Sequence, residues 1–189
     1  MVLTFCTLSS IPFAHATSPT AKPQVMILRD SGTLKILQAE VLVDAPVASV
    51  WRELSDYANL KNMLPGYERS TVLQAYGPVK TVDLQVKPGS LLPAYRYQVA
   101  IHEDRSDYTL NIQRISGDFK AITAIYQLYP VDAGSRTRVV YRLSIDMGNN
   151  MPPMGAAGVL KSSTARAMTA IQGHCAEVYR RSLTAQASR

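Results

Sequence analysis

The stretch Val41-Leu42-Val43-Asp44-Ala45-Pro46-Val47-Ala48-Ser49-Val50-Trp51-Arg52-Glu53-Leu54-Ser55-Asp56-Tyr57 is where the chain changes its hydrophobic period. Residues 34–43 read as a strand rich in Val, Leu and Ile, and Asp44-Ala45-Pro46 stops it. Proline has no N–H to give a sheet ladder, but the first turn of a helix needs none. Pro46 therefore opens a helix with Asp44 or Ala45 near its N-cap. Val47, Val50, Trp51 and Leu54 then share one helix face. A second short helix is expected over 58–64, with Asp56 placed to cap it and Pro65-Gly66 to end it.

Upstream of this stretch lie a strand over 25–29 and a turn at Asp30-Ser31-Gly32. Downstream of Gly66 the pattern alternates for about eighty residues. Runs at 67–75, 79–86, 94–103, 108–116, 119–130 and 136–147 are separated by short Gly-, Pro- and Asp-rich breaks, so consecutive hairpins form an antiparallel meander. In the last run Thr137, Val139, Tyr141, Leu143, Ile145 and Met147 face one way, while Arg136, Arg138, Arg142, Ser144 and Asp146 face the other. A sheet of this kind has one wet face and one covered face.

The cover comes last. From Pro153 to about Ser182 apolar residues recur every three or four positions through Leu160, Thr164, Met168, Ile171, Cys175 and Val178, which specifies a long helix. Its approach, 147–158, is rich in Met, Gly, Pro and Ala, a thinly packed segment suited to a gate.

With 189 residues, 47% hydrophobic and 18% charged, the chain has the composition of one packed domain rather than of a disordered one. A net charge of +6 is mildly basic, and no basic run alternates with exposed aromatics, so nucleic acid is not expected as a partner. No apolar run reaches the eighteen or so residues that span a bilayer. Residues 1–16 carry no Lys, Arg, Asp or Glu and end in Ala14-His15-Ala16, the small-x-small pattern of a signal peptide. The basic residue that should begin such a peptide is missing, which leaves a cytoplasmic location as the alternative to the periplasm or secretion. The expected organisation is a signal peptide over 1–16, a leader with an extra strand over 17–33, the main domain over 34–182 and a tail over 183–189.

Strand, two short helices, long meander and long C-terminal helix make an α+β helix-grip fold, with an antiparallel curved sheet wrapped around the last helix. In this order, and in Val41 to Tyr57 followed by Leu64-Pro65-Gly66-Tyr67, the chain resembles the START-like superfamily. The resemblance is to its polyketide cyclase/dehydrase and coenzyme Q-binding branch. It extends loosely from about Leu34 to Val178, is specific for the fold, and says little about the ligand.

No nucleophile motif, phosphate loop or metal-ligand spacing is present, and no cofactor, metal or catalytic residue is expected. The ionisable candidates Asp83, His102, Arg114 and Asp146 fall on the wet face by strand parity. A binding cavity needs only an apolar space and a few polar handles. Its expected lining is Trp51, Tyr95, Tyr97, Leu110, Ile112, Tyr126, Tyr141 and Leu143, with Met151, Met154, Leu160, Met168 and Ile171 from the helix side. Taken singly, Trp51 and each tyrosine read first as ordinary core, and the lining reading belongs to the set.

Ten tyrosines against three phenylalanines suit an amphiphilic occupant, because each buries a ring and offers a hydroxyl. The expected partner is a hydrophobic small molecule or lipid, an isoprenoid quinone among them. The alternatives are a cyclase- or dehydratase-like enzyme on the same fold and a protein-interaction module with a collapsed cavity. Arg136, Arg138 and Arg142, with Arg166, Arg180 and Arg181, offer either a patch for anionic membrane surfaces or a solvated face.

Overall fold

Pro46 ends one element and starts the next by supplying extended backbone (φ −61°, ψ 152°) at the helix N-cap. In the computed structural model, which describes residues 21–89, 92–148 and 155–188, the elements follow the expected order. Strands β1 (Gln24–Ser31) and β2 (Leu34–Val43) lead to α1 (Val47–Leu54), a 3-10 turn at Tyr57–Asn59 and the single-turn α2 (Leu60–Met63). Then come β3 (Tyr67–Tyr76), β4 (Val79–Val86), β5 (Tyr95–Asp104), β6 (Thr109–Gly117), β7 (Ala121–Val131) and β8 (Arg136–Asp146). The long helix α3 (Ala156–Ala187) closes the chain.

The eight strands form one antiparallel sheet in the order β1-β2-β8-β7-β6-β5-β4-β3. The meander runs from β3 to β8, and β2 joins its far edge by pairing with β8 from Leu34↔Asp146 to Val43↔Thr137. This curved sheet with its long final helix is the helix-grip fold.

Alternation in β2 is strict: Lys35, Leu37, Ala39, Val41 and Val43 are buried, and the residues between them are not. One face is therefore roofed, and α3 is the roof. Its buried positions Ala156, Leu160, Thr164, Met168, Ile171 and Cys175 form a single stripe, and at about 1.5 Å per residue the helix is long enough to cross the whole sheet. Gln172 Nε2 anchors it by donating to the Leu42 carbonyl at 2.7 Å, and His174 Nε2 lies 3.0 Å from Glu53 Oε2 of α1. Thr137, a polar residue on the inner face, is satisfied by donating to the Ala45 carbonyl at 2.7 Å.

Three local expectations are corrected. The N-cap of α1 is Pro46 rather than Asp44 or Ala45, because no side-chain cap bond forms there and proline's extended backbone itself begins the turn. Asp56 holds the cap position of the 3-10 turn, but its carboxylate makes no cap bond and stays exposed. Helix α3 starts at Ala156 rather than Pro153, after Gly155 in a left-handed conformation (φ 84°), and continues to Ala187 rather than Ser182. Nothing after Gly173 breaks a helix, and Ala185 and Ala187 favour one. The expected signal peptide and half of the expected gate, including Met151 and Met154, lie outside the described residues. Among the described residues no helix is long and apolar enough to cross a membrane.

Candidate functional site

Curvature keeps the sheet from closing flat against α3, and an apolar cavity of about 160 Å³ is left between them. The floor comes from inner-face residues of β4 to β8, such as Leu84, Val99, Leu110, Ala124 and Leu143. Leu160, Thr164, Ala167 and Met168 of α3 form the roof, and Leu54, Tyr57, Leu60 and Leu64 close one side from the short helices and the turns around them.

Among the described residues that line it there is no Asp, Glu, Lys, Arg or His. Its polar side chains are hydroxyls: Tyr57, Tyr67, Tyr97, Tyr126 and Tyr141, with Ser163 and Thr164 from α3. Ser163 is spent on its own helix, donating to the Leu160 carbonyl at 3.1 Å.

Tyr126 and Tyr141 are direct partners across β7 and β8 and stack with centroids 4.4 Å apart at 29°. Tyr67 and Tyr97 lie close enough for their phenols to influence one another. Burial pushes all four phenols above their ordinary range, and their neighbours in the group add to the shift for Tyr97, Tyr126 and Tyr141. They stay protonated at physiological pH. Tyr57 is raised too, first by burial and then by Glu103, although no hydrogen bond of good geometry satisfies its buried hydroxyl.

Of the residues expected to line a cavity, Tyr97, Leu110, Ile112, Tyr126, Tyr141, Leu143, Leu160 and Met168 come together around this one. Trp51, Tyr95 and Ile171 do not. Trp51 meets the edge of Tyr108 (centroids 5.7 Å apart, 72°) inside the core cluster between α1 and the sheet. Phe119 takes the wall position near Tyr95, which stacks against it at 5.1 Å. Ile171 lies further along α3, fully buried in the core.

Leu54, Tyr57, Leu60 and Leu64 were missed. Their spacing of three, three and four residues was the available signal, but a helical stripe does not say whether it meets core or cavity. Tyr67 was missed as well, because only the curl of the sheet carries edge strand β3 round to the cavity.

The ionisable candidates lie elsewhere. Asp83 is on the outer face and held by arginines, His102 is exposed, and Arg114 Nη2 donates to the Gly117 carbonyl at 2.9 Å. Asp146 pairs with Lys120 at 3.4 Å, and hydrogen bonds, first from Thr33, hold its carboxyl below the usual range. Cys175 is buried and its thiol pushed up to about 12 by that burial, which makes it an inert packing group. No group of three or more His, Cys, Asp or Glu side chains that could hold a metal assembles among the described residues.

The outer-face arginines are largely engaged. Arg136 pairs with Asp132, and Arg142 donates to Gln38 Oε1 at 2.8 Å. Arg138 lies 3.7 Å from Glu40 and over the Tyr129 ring, and on α3 Arg180 and Arg181 both pair with Glu177.

Solved structures share this architecture. An aromatase/cyclase from a Streptomyces species superimposes with a TM-score of 0.66 at 16% identity, over 75% of this chain and 93% of that one. A STAR-related lipid transfer protein from Xanthomonas axonopodis gives 0.66 at 15% identity, over 80% and 98%. A START superfamily protein from Mycobacterium smegmatis gives 0.66 at 14% identity, over 76% and 98%. At these identities the likeness is one of fold. A search of curated proteins found no match. The sequence profile of polyketide cyclase / dehydrase and lipid transport proteins matches residues 43–171, from the end of β2 to the middle of α3, and the chain belongs to that family.

Proposed function

We propose that the protein binds and carries a hydrophobic small molecule or lipid in the cavity between its sheet and α3. The observation that carries this reading is the cavity itself: an apolar space of about 160 Å³ left between the sheet and α3. Apolar space that the side chains do not fill costs a protein stability, so its retention in a small domain points to an occupant. The lipid transfer protein among the structural relatives and the lipid transport side of the family support the same reading. An isoprenoid quinone is the finer form of the proposal, supported by the tyrosine-rich wall.

Catalysis of the cyclase or dehydratase kind draws less support from the site. The lining supplies hydroxyls, all of whose resolved phenol shifts run upward, where general acid–base work needs groups poised near neutral pH. For the surface arginines, their pairing with Asp132, Glu40 and Glu177 favours a solvated, self-paired surface over a membrane-binding patch.

Native mass spectrometry of the full chain purified from its own host, followed by organic extraction, tests the proposal. A stoichiometric neutral lipid or quinone is the expected result. An empty protein that also takes up no lipid or quinone when offered them overturns it. Export is part of the proposal and rests on the uncharged apolar residues 1–16 ending in Ala14-His15-Ala16. N-terminal sequencing of the protein recovered from its host should find Thr17 first, and an intact Met1 on cytoplasmic protein overturns that part.

A further inference from the structure

Four phenol groups that start from widely separated strands meet in the cavity. Tyr67 lies on β3 and Tyr141 on β8, five places apart in the sheet order. Neighbouring strands are about 4.8 Å apart, so on a flat sheet these two would stand more than 20 Å from each other. The curl of the sheet brings both to the same cavity wall, together with Tyr97 of β5 and Tyr126 of β7. Tyr126 and Tyr141 stack there with ring centroids 4.4 Å apart, and Tyr67 and Tyr97 lie close enough for their phenols to influence one another. Apart from the hydroxyls of Tyr57, Ser163 and Thr164, the wall around them is aliphatic or aromatic and, among the described residues, without a charged side chain.

From this convergence we infer that Tyr67, Tyr97, Tyr126 and Tyr141 form a neutral hydrogen-bonding tetrad that selects an uncharged ligand with a carbonyl oxygen on an apolar body. The inference rests on the carrier reading and sharpens it. Each hydroxyl is a donor as well as an acceptor, so contact between Tyr67 and Tyr97 leaves most of the tetrad's capacity open to a guest. Because burial keeps the phenols protonated, they offer O–H groups to an acceptor oxygen rather than negative charge to a cation. A carboxylate or phosphate entering the same space would find no cation to pair with, and an unpaired charge in an apolar interior is strongly disfavoured. A pure hydrocarbon would fit the walls and leave the hydroxyls unused. The tetrad thus separates ketones and quinones from fatty acids, phospholipid headgroups and plain hydrocarbons of the same shape.

Three probes of one shape test this on the full chain at neutral pH, with binding followed by naphthalene fluorescence: 2-acetylnaphthalene, 2-ethylnaphthalene and 2-naphthoate. The ketone should bind about tenfold more tightly than the hydrocarbon, the worth of one or two net hydrogen bonds. The carboxylate should bind at least about a hundredfold more weakly than the ketone. In the double variant Tyr97→Phe, Tyr141→Phe the ketone should fall to the level of the hydrocarbon while the hydrocarbon is unchanged. Should that variant not fold, Tyr126→Phe, which spares the Tyr67–Tyr97 contact and the ring stack, should cost the ketone about threefold or more and the hydrocarbon nothing.

If none of the three binds the unaltered protein, the carrier reading falls and takes the tetrad with it. Three outcomes sink the tetrad alone and leave a carrier standing: a hydrocarbon that binds as well as the ketone, a carboxylate that binds best, or a ketone preference that survives loss of the hydroxyls.

Discussion

Arg96 grips Asp83 with two N–H groups, Nε at 3.3 Å and Nη2 at 3.0 Å, on the side of the sheet away from the cavity. The carboxylate is only 1% exposed although it belongs to the outer face, because long arginine side chains from β3 and β5 lie over it. Arg69 completes the arrangement at 3.6 Å. The Arg96 hydrogen bonds hold the Asp83 carboxyl below the usual carboxylate range, against the opposing effect of burial. An aspartate that could be read as a candidate acid is a clasp across β3, β4 and β5.

That clasp predicts acid sensitivity. A carboxyl with a depressed folded-state pKa contributes stability above its unfolded value and loses it as pH falls through the folded one. Asp83→Asn should lower the thermal midpoint at pH 7 by several degrees. The gap to the unaltered protein should narrow as pH falls below the ordinary carboxylate range. Thermal unfolding from pH 7 down to pH 2 checks this, and a gap independent of pH would exclude the clasp.

Filling the cavity should separate binding from folding. Leu160 projects from α3 into the cavity wall, so Leu160→Trp puts bulk where an occupant would sit. Overpacking a filled core costs about 1–3 kcal/mol, and here the open space should absorb the ring for less. Ligand recovered on extraction should drop severalfold, with far-UV circular dichroism and cooperative unfolding retained.

Trp51 should behave in the opposite way. It is 6% exposed and packs on Tyr108 in the core, away from the cavity lining. Trp51→Ala should cost about 3–5 kcal/mol of stability, as truncation of a buried aromatic does. Ligand bound per folded molecule should be unchanged, and denaturant titration beside ligand quantification distinguishes this from a role in the lining.

Gly117 should tolerate no side chain. It sits at φ 114° opposite Tyr97, and a Cβ there would lie 2.4 Å from both the Arg96 carbonyl oxygen and the Tyr97 Cα. Those atoms are backbone and cannot step aside. Gly117→Ala should therefore destabilise by more than about 1 kcal/mol and disturb Tyr97 of the tetrad. Chemical denaturation gives the first effect and loss of the ketone preference the second.

Cys175 should resist alkylation in the folded protein. Its thiol is buried and pushed up to about 12, so the reactive thiolate is scarce at neutral pH. Peptide mapping after iodoacetamide at pH 7.5 should show Cys175 unmodified until denaturant is added.

Much of the frame was legible because it depends on local chemistry and on period. Pro46 and Pro65-Gly66 punctuate the chain, Val47, Val50, Trp51 and Leu54 share a helical face, and the turns of the meander fall at Gly, Pro and Asp. Alternation in β8 named its inner face down to Thr137, whose hydroxyl finds a partner only after folding, in the Ala45 carbonyl.

What the sequence by itself determined, then, is the order of the elements, the face each presents and the stripe of α3 that covers the sheet. These follow from period and punctuation, which act over a few residues. Tertiary structure alone decided which inward residues meet the cavity and which meet each other. Trp51 and Tyr97 are both inward-facing aromatics, yet one is packed by Tyr108 and the other lines the cavity. It also decided that Tyr67 and Tyr141, five strands apart, reach one wall. Sheet curvature is a property of all the strands together, and no window of the chain contains it.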